Sequence, residues 1–154
     1  MCLYPYKKYR LPKKARKDIR CFKVLCTYGN VVETPYQYVN LDKETLAGKK
    51  PFVSKVLDML ENKMVETTEA KFRIHHADSD TISCGAIHTF SLLEDARKDK
   101  EWLRLISSSR EEKCDYIIYE CIIPQGTLYI KGLFDGDATS FASQQIIFVK
   151  QVLD

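Results

Sequence analysis

Apolar and polar positions alternate along the chain in ways that predict a mixed fold. Residues 21–27 carry Cys21, Phe22, Val24, Leu25 and Cys26 and read as a strand. Tyr28-Gly29-Asn30 is a turn signal, residues 31–33 form the return strand of a hairpin, and Pro35 ends the ladder. In residues 50–64, Phe52, Val53, Val56, Leu57, Leu60 and Met64 line one stripe behind Pro51, which predicts a helix. Residues 71–75 alternate like a strand, Asp78-Ser79-Asp80 is a polar turn, and residues 82–90 form a short strand interrupted near Gly85. Ser91-Leu92-Leu93-Glu94 has the form of a capping box, with Ser91 accepting from the Glu94 amide. It opens a second helix over residues 92–106, with Leu92, Ala96, Leu103 and Ile106 as its apolar stripe and Trp102 at the shoulder. Residues 116–123 are dense in β-branched and aromatic side chains and predict a buried central strand. Residues 127–131 follow as a shorter strand, 132–140 as a loop, and 145–152 as the last strand. Neither a repeat nor a linker interrupts residues 21–154. The expectation is a single α+β domain, a mostly antiparallel sheet with two main helices at about 50–64 and 92–106.

Composition narrows the class. The 154 residues are 45% hydrophobic and 29% charged, which fits one globular core and excludes a disordered or collagen-like chain. Apolar runs reach only about four residues, far short of the roughly 18 of a membrane span. Residues 1–20 contain no apolar export segment, so a cytoplasmic protein with no membrane partner is expected. The six cysteines include no C-x-x-C pair, which predicts reduced, buried thiols. Charge divides the chain in two. Residues 1–20 hold eight basic side chains against Asp18, a net +7, while the rest carries −4. Such a basic arm, with Tyr4, Tyr6 and Tyr9 among its cations, would meet nucleic acid or an acidic partner, or lie solvated as an N-terminal leader.

Candidate chemistry centres on His88. A strand ending at a helix start offers backbone amides to a phosphate, with His88, Thr89 and Ser91 beside them. Arg20 and Lys23 supply cations, and Tyr28 and Tyr36, with Tyr38 nearby, supply faces on which a base could stack. Gln144 and Gln145 could read a base edge or merely border the sheet. His88 could equally be an ordinary strand histidine, and several tyrosines could simply pack. The sets His75, His76, Asp78, Asp80 and Cys84 with Cys114 match no zinc module, and Asp135-Gly136-Asp137 lacks the acids of a calcium loop. No metal, cofactor or catalytic residue is assigned, and the phosphate-loop, dinucleotide, nucleophile-elbow and zinc-protease motifs are absent.

The order of elements, with Gly85-x-x-His88-x-Phe90 before a capped helix, Ile123-Pro124 after a buried strand, and Ala142-Ser143-Gln144-Gln145-Ile146-Ile147-Phe148, resembles small proteins with an ADP-ribosyltransferase-like fold. The resemblance spans about residues 21–149. It implies a first site position near Arg20 or Lys23, a middle one near Thr89, Phe90 and Ser91, and a late one at Gln144 or Gln145. The family's catalytic glutamate is missing at that last position. The opening Met1-Cys2-Leu3-Tyr4-Pro5 with its Lys/Tyr-rich arm is similar to N-termini of proteins from phages of gut bacteria, which implies an accessory protein countering a host defence.

These readings converge on a non-catalytic binding protein, a phage-type anti-defence protein that sequesters a nucleotide or other phosphorylated small molecule and assembles as a homo-oligomer. Two alternatives stand beside it. An ADP-ribosyltransferase-like enzyme using a substitute acid such as Glu120 would release nicotinamide from NAD. A nucleic-acid-binding module led by residues 1–20 would lose affinity steeply with salt.

Overall fold

A computed structural model describes residues 3–5, 12–35, 39–58, 63–66, 74–75, 81–82, 86–107, 114–134 and 138–153. The chain runs through β1 (Leu3–Pro5), β2 (Lys13–Lys14), β3 (Ile19–Tyr28), β4 (Val31–Glu33), α1 (Lys43–Leu46), β5 (Phe52–Val53), β6 (Lys55–Asp58) and β7 (Lys63–Glu66). It continues through β8 (Ile74–His75), β9 (Thr81–Ile82), β10 (Ile87–Phe90), α2 (Leu93–Ser107), β11 (Asp115–Ile123), β12 (Leu128–Phe134), β13 (Ala138–Ser143) and β14 (Gln145–Val152). Twelve strands build one sheet in the order β5-β14-β11-β3-β10-β13-β12-β1-β9-β8, with β2 alongside β12 and β4 alongside β3. The described pairings are antiparallel, and β6 and β7 form a hairpin of their own. A mostly antiparallel sheet with two helices agrees with the α+β expectation.

The centre of the sheet is the β3–β11 ladder, continuous from Thr27↔Asp115 to Ile19↔Ile123. Alternation sends Cys21, Leu25, Cys121 and Ile123 into a core shared with Ile87, Phe141, Ile146 and Phe148. Phe22, Val24, Cys26, Tyr116 and Ile118 join a second cluster with Ala96 and Leu103 of α2. Both faces are covered, which explains why these strands read as dense apolar runs. On its other side β3 meets β10 through a single register pair, Phe22↔Phe90, whereas β10 pairs along its whole length with β13. The sheet therefore has a seam between β3 and β10. No helix among the described residues is long and apolar enough to cross a membrane.

Three expectations are corrected. The described residues of 50–64 form no helix: Phe52 and Val53 pair with Ile146 and Gln145 of β14, and β6 pairs with β7. Adjacent apolar pairs such as Phe52-Val53 and Val56-Leu57 fit either periodicity, and the edge of β14 captures the first of them. The structure's first helix is the short α1, where Asp42 accepts a 2.7 Å bond from the Thr45 amide. Residues 132–140 are not simply a loop, because β12 extends to Phe134 and β13 begins at Ala138. The stripe of α2 is also shifted: Leu92 and Ile106 are exposed, while Ala96, Asp99, Lys100 and Leu103 are buried.

One close approach ties α1 to the sheet. Gly48 has φ +74°, and a Cβ there would lie 2.5 Å from the Phe148 carbonyl oxygen. Gly48→Ala is expected to cost about 3 kcal/mol, left-handed strain plus displacement of β14. At Gly29 and Gly126, also at positive φ, an added Cβ meets nothing within 4 Å. Alanine there should cost about 1 kcal/mol, and urea unfolding of the three variants separates the two classes.

Candidate functional site

The seam gathers three of the residues singled out by the sequence. Lys23 shares its face of β3 with Cys21 and Leu25 and is only 5% exposed. Its ammonium crosses to β10 and donates a 2.8 Å hydrogen bond to the His88 carbonyl, where the two strands part. Burial pulls the ammonium down to about 8, against the opposing influence of Cys121, Asp99 and Cys21. His88 is 7% exposed, and burial, reinforced by the Lys23 charge, holds its imidazole down to about 3. The ring is therefore neutral near pH 7, and among the described residues its Nδ1 has no hydrogen-bond partner. Thr89 is fully buried, and among the described residues its Oγ1 accepts no hydrogen bond; the hydroxyl lies beside the Cys21 sulfur, which it favours as a donor.

Thiols pack against this group without supplying a nucleophile. Burial pushes Cys21 up to about 11 and Cys121 well above its ordinary range, so both stay protonated. Among the described residues Cys21, Cys26 and Cys121 are buried free thiols and Cys114 is a half-buried one, while Cys2 and Cys84 lie outside the described residues. Among the described residues no three His, Cys, Asp or Glu side chains are placed to hold a metal ion.

The other sequence candidates lie outside the seam. Arg20 is exposed and grips Glu120 with two bonds, Nε–Oε1 at 2.8 Å and Nη2–Oε2 at 3.2 Å, while its guanidinium sits 5.0 Å from the centre of the Phe22 ring. Lys150 adds a third contact to Glu120 at 3.9 Å, and the Arg20 bonds hold the Glu120 carboxyl below its usual range. Tyr28 is exposed at the far end of β3, about 17 Å along the strand from Lys23. Tyr36 lies outside the described residues. Gln145 donates through Nε2 to Thr127 Oγ1 at 3.1 Å, at the start of β14.

Ser91 departs from its expected role. Its amide and its hydroxyl both donate to the Thr139 carbonyl at 3.0 Å, instead of the hydroxyl capping Glu94. The β10–β13 ladder ends at Phe90↔Ser140, and Ser91 prolongs that contact by one residue before α2 begins at Leu93.

Asp99 and Lys100 escaped the sequence reading. Each is 6% exposed on the buried face of α2, and Asp99 acts electrostatically on Lys23. The signal was a gap: between Ala96 and Leu103 the core positions of the helix are filled by an acid and a base. No family model, curated protein or solved structure matches the chain.

Proposed function

We propose that the protein is a non-catalytic binder of a phosphorylated small molecule, a nucleotide foremost, which takes the anion at the β3–β10 seam. The observation that carries this reading is Lys23. Among the described residues its ammonium donates to one acceptor, the His88 carbonyl, although it has three N–H donors, and the neighbouring His88 Nδ1 is unpartnered. A buried cation with unused donors favours a phosphate oxygen strongly, because the low local dielectric amplifies the attraction. Entry past two side chains that are more than nine-tenths buried favours slow release, which suits sequestration. A phage-type anti-defence role would use such a site to withdraw a nucleotide signal from the host. The engagement of Glu120 by Arg20 and Lys150 supports binding over an ADP-ribosyltransferase-like reaction at that acid.

Thermal shift with adenosine monophosphate, cyclic adenosine monophosphate and inorganic phosphate tests this reading. Wild type and Arg20→Met should show a saturable rise in Tm with at least one of these probes, and Lys23→Met should lose it while keeping its circular dichroism spectrum. An equal rise in Lys23→Met, or none in wild type, rejects the seam. Release of nicotinamide from NAD would favour the enzyme instead. A nucleic-acid reading has its own support in Lys13, Lys14, Arg16 and Lys17, all exposed around the buried Ala15. It predicts oligonucleotide affinity that falls steeply with salt and survives Lys23→Met.

A further inference from the structure

We propose that the outer edge of β14 pairs with the same edge of a second copy of this chain, in antiparallel register about a two-fold axis at Gln151. The inner edge of β14 is paired with β11 from Ile147↔Ile122 to Val152↔Ile118. The outer edge is paired only at Gln145 and Ile146, where β5 ends, and Gly48 then abuts the Phe148 carbonyl. Beyond that point, among the described residues, no strand covers residues 149–153. An open ladder of unpaired amides and carbonyls is a template for another strand, and natural edges are usually guarded by charge or proline. Within residues 149–153 the one charge is Lys150, whose ammonium is drawn to Glu120 at 3.9 Å.

The side chains on this edge select both the occupant and the register. Val149 is 44% exposed and Leu153 is 81% exposed, two large apolar groups placed symmetrically about Gln151. Antiparallel pairing centred on Gln151 sets Val149 of each copy against Leu153 of the other, pairs the two Gln151 amides, and places Lys150 opposite Val152. Centring one residue earlier would instead set Lys150 against Lys150, which like-charge repulsion disfavours. The strand is thus complementary to itself in this register, as a closed two-fold interface requires. Val149 is the extra residue of the β-bulge between Glu120↔Lys150 and Cys121↔Phe148, so the new ladder is confined to the last residues of β14, with the Val149–Leu153 contacts at its two ends. A contact of that length makes a weak, concentration-dependent dimer.

Sedimentation velocity of the full chain from low micromolar to several hundred micromolar reads this directly. Wild type should shift from monomer to dimer across the range. Val149→Lys with Leu153→Lys alters only exposed positions and should abolish the shift while leaving Tm within a few degrees. Val149→Glu with Leu153→Glu should behave likewise alone, and an equimolar mixture of the two doubly substituted proteins should recover the dimer, since each Lys then faces a Glu. A wild type that stays monomeric throughout overturns the proposal. A dimer that persists in the Lys variant, or a mixture that stays monomeric, overturns the edge and the register.

Discussion

Acidification from pH 7 to pH 3 should remove about 5 kcal/mol of stability through His88 alone, the 3.5-unit fall from 6.5 to about 3 at 1.36 kcal/mol per unit. The sign follows from which state takes the proton first. In the unfolded chain the imidazole protonates near 6.5, whereas in the fold burial and the Lys23 charge delay protonation to about 3. Below 6.5 the unfolded state gains protons that the native state refuses. The contribution of His88 is therefore complete above 6.5 and lost as pH falls through 3. His88→Leu removes the titration, and its surroundings tolerate an apolar side chain. His88 pairs with Ala142, which belongs to an apolar cluster with Ala86 and Ile130. Urea unfolding of both proteins from pH 7 to pH 3 should show the wild type losing about 5 kcal/mol more than the variant. Subtraction cancels carboxylates such as Glu120, which titrate alike in both. Parallel curves would mean that the imidazole is not held neutral in the fold.

Phe148→Ala should cost about 3–5 kcal/mol, the range for emptying a large aromatic site in a packed core. Phe148 is 1% exposed and connects two elements through its ring: Tyr119 of β11 stands edge-on at 5.4 Å, and Phe52 of β5 lies at 6.2 Å. No other element pairs with β5 among the described strands, so its attachment depends on this ring and on two register pairs. Phe148→Leu, which keeps most of the apolar volume, should cost under about 2 kcal/mol. Equal losses for the two variants in urea unfolding would show that the site collapses freely rather than leaving a cavity.

The strands that the sequence revealed carry dense apolar runs: β3 and β11, which are covered on both faces, and β14 through Ile146-Ile147-Phe148-Val149 ahead of its exposed end. The hairpin to β4 carries its turn signal at Gly29-Asn30. β13 gave no such signal because Ser140, Ala142 and Ser143 are small residues buried by close packing rather than by hydrophobicity. The misread segment 50–64 held its correction in charge order. In β6 and β7, Lys55 stands opposite Glu66 and Asp58 opposite Lys63, with Val56↔Val65 and Leu57↔Met64 between them. The seam was half legible. Period-two alternation puts Lys23 on the same face as Cys21 and Leu25, which marks it as a buried lysine. Its meeting with His88 depends on a pairing 65 residues away, and single-sequence periodicity carries no information about that.

The β3–β11 ladder joins residue 27 to residue 115 and residue 19 to residue 123. On a ribosome adding roughly 5–20 residues per second, β3 emerges on the order of 5–20 s before its partner exists. For most of that interval this largely apolar strand has the short β4, and once residue 90 is made a single register pair with β10, with which to pair, while β12 and β13, separated by a few residues, can zip as soon as both are made. The nascent chain must therefore keep its future central strand from other edges until most of the protein has been translated, with Lys23 the one charge along its apolar middle.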